Sequence, residues 1–176
     1  MVRRKHIRAL VEQLLTEHRI RSAPVPVTEI ATALGTEVQL EAAEDELSGF
    51  LYRDRKRKLA IIGVNADHHP NRQTFTTAHE LGHFLLHEFD DIHVDRQFKV
   101  WLRNEASSQG TDVEEKEANL FAAELLMPAR FLAKDVEKIG AFDALNENVL
   151  GELAEKYGVS TQAMTFRLAY LGYLQQ

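Results

Sequence analysis

The chain has 176 residues and a formal net charge of −6 at pH 7. That length suits one domain, or a domain plus a small appendage, with a real core, and the charge argues against a broad nucleic-acid footprint. It contains no cysteine, which excludes disulfides, thiolate metal sites and cysteine nucleophiles, so any metal must be held by His, Asp or Glu.

The N-terminus is basic at Arg3, Arg4, Lys5 and Arg8, and an apolar patch follows. Glu12, Gln13, Glu17 and His18 interrupt that patch, so it is no signal-peptide core. It reads as an amphipathic helix over 5–20 through Ile7, Leu10, Val11, Leu14 and Leu15. No apolar run reaches the length of a membrane span, so the expectation is a cytoplasmic protein with no membrane partner. Pro24 and Pro26 mark an extended connector, and Thr28 reads as the N-cap of a short helix that stops at Gly35. Strand signals occupy 36–41 and 48–64, the latter a hairpin around the charged turn Asp54-Arg55-Lys56-Arg57. The basic cluster at 53–58 reads as a solvated turn, with a substrate-contact role as the alternative.

Pro70-Asn71 opens a mostly buried helix over 72–88 that contains His79-Glu80-Leu81-Gly82-His83. Helical positions four apart share a face, so His79 and His83 can reach one ion while Glu80 projects beside it. This is the H-E-x-x-H arrangement of zinc peptidases, where the glutamate is the general base toward water. The competing reading is a histidine pair on an ordinary amphipathic helix. Catalytic zinc usually has three protein ligands, so a third is required. Leu86 and Phe89 stand where metzincins extend the motif, which excludes that class. His87 is rotated by about 40° from His83 at 3.6 residues per turn and reads as a surface residue or as one that supports a ligand. His93, in the polar segment 89–110, is a further candidate; a short helix is expected there near Phe98–Leu102.

The better third ligand lies on a second helix, from about 112 to 127, that stops at Pro128. Thr111-x-x-Glu114 fits a capping box, which occupies Glu114. Glu117 is rotated off the face and reads as solvated. Glu115 lies four residues before Asn119 and is the preferred ligand, with Asn119 orienting a ligating histidine from behind. In the alternative, Glu115 itself caps the helix behind Asp112. Helical patterns continue over 129–138 and 149–174. The C-terminal helix–Gly-turn–helix resembles a helix-turn-helix unit, whose functional reading is DNA binding. Only Lys156 and Arg167 are basic there, and Glu152 and Glu155 oppose phosphate, so a packing hairpin or regulator-docking surface is preferred and direct DNA binding is not expected.

The run Arg72 to His87, followed by Glu115-x-x-Ala118-Asn119-x-Phe121-Ala122-Ala123-x-Leu125-Leu126-Met127-Pro128, resembles the ImmA/IrrE family of metallopeptidases. Ser48-Gly49-Phe50 and the segment Val159 to Gly172 fit the same pattern. The resemblance covers the chain from about residue 25 onward. It implies an α+β, zincin-like, gluzincin-type core with a small sheet packed on helices, with His79, His83 and Glu115 on the metal and Glu80 as base. It also implies cleavage of helix-turn-helix regulators in stress responses, mobile-element induction or toxin–antitoxin-like pairs.

The expected organisation is an N-terminal helix over 1–22, a peptidase core over 23–140 and a helical extension over 141–176. The expected activity is metal-dependent endopeptidase action on a protein substrate, a helix-turn-helix repressor or antitoxin-like regulator. Zn²⁺ suits the ligands, and Mn²⁺ or Fe²⁺ also fits imidazole and carboxylate. The rival reading is a non-catalytic regulator that binds DNA or a repressor around a structural metal. A peptidase also needs a donor for the oxyanion. Tyr52, Arg72, His93 and Arg103 are candidates, with Arg103 preferred. The strand at 48–53 is a candidate for pairing with extended substrate.

Overall fold

The computed structural model describes residues 1–88, 91–95, 111–140 and 146–174. Helix α1 (Arg4–Glu17) buries Ile7, Val11, Leu14 and Leu15, one stripe at helical spacing. Helix α2 (Val27–Ala33) starts two residues earlier than expected, with Pro26 as its N-cap. The proline ring pre-sets the turn, so Thr28 falls inside the first turn and its carbonyl accepts from the Thr32 hydroxyl instead.

Four strands form the sheet: β1 (Glu37–Glu41), β2 (Gly49–Asp54), β3 (Leu59–Asn65) and β4 (Asp91–Asp95), in the order β1-β3-β2-β4. The expected hairpin is β2 and β3, antiparallel, with Leu51 opposite Ile62. Strand β1 joins β3 in parallel. Strand β4 lies in the polar segment 89–110, for which the sequence offers no strand; it pairs antiparallel with β2 and sets His93 opposite Leu51. Residues directly opposite share a face. Leu51 and Ile62 are fully buried beneath the helices, so His93 projects toward the same side. The short helix expected near Phe98–Leu102 lies outside the described residues. Because β2 is flanked by β3 and β4, it has no free edge, and the proposed substrate pairing at 48–53 is corrected. Among the described residues the outer strand on this side is β4.

Helix α3 (Pro70–Leu86) lies on β2 and β3. Pro70 takes the first turn, where a missing N–H costs nothing, and the His69 ring accepts from Asn71 N–H at 3.2 Å. The helix ends at Leu86, and His87 is extended (φ −124°, ψ 148°). Helix α4 (Thr111–Leu126) crosses α3 closely. Met127-Pro128 then breaks the chain into α5 (Ala129–Ile139). Helix α6 (Glu147–Tyr157) ends at Gly158 in the left-handed region, φ +65°, and α7 (Thr161–Tyr170) starts from a Ser160 cap. Helices set against one small sheet make this the expected α+β fold.

Candidate metal centre

One turn of α3 separates His79 from His83. Both are about 1% exposed, and their Nε2 atoms lie 3.1 Å apart. Helix α4 supplies Glu115, whose Oε2 is 3.3 Å from His79 Nε2 and whose Oε1 is 3.1 Å from His83 Nε2. Strand β4 adds His93, with Nε2 3.3 Å from Glu115 Oε1 and its ring centroid 3.9 Å from that of His83. The four ligand-type atoms all fall within 4.8 Å of one another. Three imidazole nitrogens and one carboxylate, without sulfur, suit a borderline divalent cation such as Zn²⁺ and tolerate Mn²⁺ or Fe²⁺.

The tautomers favour a cation. Asn119 Oδ1 lies 3.2 Å from His79 Nδ1 and accepts its proton, which leaves the His79 Nε2 lone pair aimed into the cluster. Burial pushes the His83 imidazole down to about 4, so it is neutral at neutral pH and can ligate. Burial alone would raise the Glu115 carboxyl. The imidazoles of His79, His83 and His93 around it outweigh that burial and hold the group well below the usual carboxylate range.

Glu80 is fully buried on α3. Gly49, which opens β2, accounts for the close fit beside it. A Cβ there would meet Thr76 Cγ2 at 2.5 Å and the Gly63 carbonyl at 2.8 Å, and would reach within 3.7 Å of Glu80 Cγ. Only glycine lets the strand approach the motif helix this closely.

Behind the cluster, His87 Nδ1 lies 3.0 Å from His83 Nδ1, and His87 Nε2 lies 3.2 Å from Glu117 Oε2. His87 therefore supports a ligand rather than facing solvent; ending α3 at Leu86 frees it to turn back. Glu117 is 2% exposed, not solvated as expected. Helix α1 covers that face of α4 and brings Arg3, whose Nη2 and backbone N–H donate to the Glu117 carboxylate at 2.5 and 2.7 Å. The Arg3 hydrogen bond holds the Glu117 carboxyl down to about 2. No sequence pattern could reveal this, because the partner is 114 residues away.

The oxyanion candidates separate. His93 sits in the cluster. Arg72 donates to Ser48 Oγ at 2.9 Å, a bond that ties α3 to the start of β2. Tyr52 alternates with Leu51 and so belongs to the sheet face away from α3. Arg103 lies outside the described residues. Arg53, expected in a solvated turn, instead donates to the Phe84 and His87 carbonyls at the end of α3, where cations are favoured.

The two basic residues of the helix-turn-helix-like segment are likewise committed. Arg167 is 3% exposed, pairs with Glu124 at 2.5 Å and donates to the Met127 carbonyl at 3.0 Å. Lys156 Nζ lies 2.6 Å from Asp135 Oδ2. A cavity of about 700 Å³ separates α7 from α3 and α4, with walls including Phe75, Leu120, Ala123 and Phe166, and it adjoins the cluster at Asn119.

Comparison with known proteins accords with this geometry. Residues 31–169 match the family model of peptidase M78, the IrrE N-terminal-like domain. The chain is 33% identical over 108 residues to the radiation response metalloprotease IrrE of Deinococcus radiodurans, covering 61% of this chain and 30% of that protein. It is 34% identical over 110 residues to the IrrE of Deinococcus deserti, covering 62% and 36%. It thus spans about a third of the length of these curated relatives. An uncharacterized immunity region protein 2 of Bacillus phage phi105 is 30% identical over 122 residues, covering 69% of this chain and 68% of that one. A Mycobacterium tuberculosis transcriptional regulator shares the fold, with a TM-score of 0.63 at 16% identity, covering 94% of this chain and 46% of the regulator. The zincin-like core and the paired helical motifs together have one conclusion: the chain belongs to the M78 metallopeptidase family of IrrE N-terminal-like domains.

Proposed function

We propose that this chain is a zinc-dependent endopeptidase in which His79, His83 and Glu115 hold the metal and Glu80 is the general base. The observation that carries the reading is the convergence of two buried Nε2 atoms on one carboxylate, next to a buried glutamate. His79, His83 and Glu115 would hold a divalent cation that, when bound, would supply Lewis acidity toward the scissile carbonyl and water. Glu80 takes the proton of the attacking water and delivers it to the leaving amine. Asn119 keeps His79 in the ligating tautomer. A hydrolytic site keeps one coordination position open. We therefore assign His93, the fourth member of the cluster, to the developing oxyanion rather than to the metal; its side chain is 26% exposed, against 1% for His79 and His83.

The substrate in this reading is a helix-turn-helix regulator in the cytoplasm, in a stress-response or mobile-element setting. Similarity to a phage protein named for its immunity region supports that class. Extended substrate can pair along β4, the outer strand that carries His93. The cavity beside Asn119 has room for an apolar side chain of the substrate. No helix among the described residues is long and apolar enough to cross a membrane.

The test incubates Zn²⁺-loaded protein with candidate helix-turn-helix regulators from the same genome, next to a Glu80→Gln control, and reads fragments by mass spectrometry. Cleavage by the wild type alone is expected. A stable complex with both proteins and no fragments would replace the peptidase by a binding regulator.

A further inference from the structure

The contacts from Arg3 to His83 form a chain whose polarity is fixed at one end. A guanidinium only donates, and an ionised carboxylate only accepts. Arg3 donates to Glu117 through Nε at 3.1 and 3.0 Å and through Nη2 at 2.5 Å, and its Nη2 also reaches the Leu86 carbonyl at 3.0 Å. Glu117 must then receive a proton from His87 Nε2 at 3.2 Å. In the tautomer that donates through Nε2, His87 has only a lone pair left on Nδ1. That lone pair faces His83 Nδ1 at 3.0 Å, so His83 carries its proton there. The remaining His83 nitrogen, Nε2, presents a lone pair to the cluster of His79, His93 and Glu115.

We propose that the N-terminal segment sets the metal affinity of the site through this relay, with Arg3, Glu117 and His87 as positioning residues for His83. The inference rests on the metal-site reading above. Helix α1 and Arg3 lie before residue 31, where the family match begins. The Arg3 end of the relay therefore lies outside the matched residues, while His83, His87 and Glu117 lie within them. Arg3 acts twice, on the carboxylate that orients His87 and on the C-terminal carbonyl of the helix that carries both histidines. A partner or a cleavage that displaced the segment around Arg3 would loosen the metal without touching any ligand.

The neighbouring Arg8 gives an internal control. It joins α1 to the same helix α4, through Glu124 at 2.9 Å, with no contact to His87. Zn²⁺ affinity is measured by competition with a chromogenic chelator at fixed pH and salt, and the melting temperature of each apo-protein is recorded beside it. Loss of an outer contact to a ligating histidine typically weakens binding about 10- to 100-fold. His87→Ala and Glu117→Gln are expected in that range, and Arg3→Met by a smaller factor. Arg8→Met should lower the melting temperature and leave affinity unchanged. His87→Gln keeps one acceptor and one donor and should lose less affinity than His87→Ala. In a His87→Ala background, Arg3→Met should add less loss than it causes in the wild type, because the path through His87 is already cut and only the contact to the Leu86 carbonyl remains.

Equal weakening by Arg8→Met and Arg3→Met would overturn the relay and leave only general docking of α1. Unchanged affinity in the Arg3 and Glu117 variants would overturn it too, even with lowered melting temperatures. Failure of the wild type to bind Zn²⁺ at all would instead remove the metal centre on which the relay depends.

Discussion

Gly82 of α3 rests against Ala118 of α4: a Cβ added at Gly82 would stand 3.1 Å from Ala118 Cα and 3.3 Å from its carbonyl oxygen. Both of those neighbours are backbone and cannot rotate away. The crossing sets the separation between His83, one residue along α3, and Glu115, one turn back along α4. Replacing Gly82 with leucine should therefore overpack the crossing, at a cost of about 1–3 kcal/mol, and weaken Zn²⁺ binding with it. Gly151 supplies the contrast, since a Cβ there meets nothing within 4 Å inside helix α6. Gly151→Ala should stabilise by about 0.5–1 kcal/mol through helix propensity. Denaturant unfolding of both variants reads the difference, and equal effects would show that the crossing is slack.

That crossing also explains what the sequence makes legible. H-E-x-x-H and E-x-x-x-N are both local, and helical periodicity fixes which side chains share a face. His79, His83, Glu115 and Asn119 can therefore be grouped once two helices are assumed to pack. His93 cannot be grouped with them this way. It reaches the cluster because β4 registers Leu51 against it across the sheet, a pairing with no local signature. Strand β4 is itself short, and its acidic ends hide the alternation of Ile92 and Val94. Glu117 and Arg167 carry the same lesson with the opposite sign. Each looks solvated by charge alone, and each is buried because a distant helix brings its counter-ion.

Removing metal should lower stability by mass action. A ligand at about 1,000 times its Kd contributes about 4 kcal/mol to the folded state. The melting temperature of the wild type should therefore fall on chelation and recover on adding Zn²⁺. Glu115→Gln should show no such recovery, because it loses the charge that balances the cation. Recovery in Glu115→Gln would move the third ligand elsewhere in the cluster.

The Glu124–Arg167 pair gives an acid limit far from the metal. Burial would raise the Glu124 carboxyl, but Arg167 and Arg8 outweigh it and hold it below its ordinary value of 4.5. A depressed folded-state value means stability that is fully present above 4.5 and lost as pH falls through the depressed value. Melting curves of the metal-free protein should therefore drop below pH 4.5, with a shallower drop in Glu124→Gln. Arg167→Met leaves a buried carboxylate without its main partner and should cost about 3–5 kcal/mol. It should do so with no change in duplex DNA binding, which is expected to be undetectable at physiological salt. A DNA shift that Arg167→Met abolishes would return this helix to the nucleic-acid reading.

His93 decides whether the cluster is a closed site or a working one. Its Nε2 approaches the same Glu115 oxygen as His83 does, at 3.3 against 3.1 Å, so distance alone permits a fourth ligand. A tetrahedral cation bound by all four groups would have no position for water or substrate. A donor to the oxyanion acts only as charge develops, and its loss costs about 10²–10³ in kcat with little effect on the ground state. His93→Ala should thus retain one Zn²⁺ per chain and most of the wild-type affinity, while kcat falls by that factor and KM moves little. His93→Gln, which keeps a donor, should recover part of the loss. If His93→Ala instead sheds its metal, the histidine is a ligand, the site is closed, and β4 serves to hold the ion rather than to present the substrate.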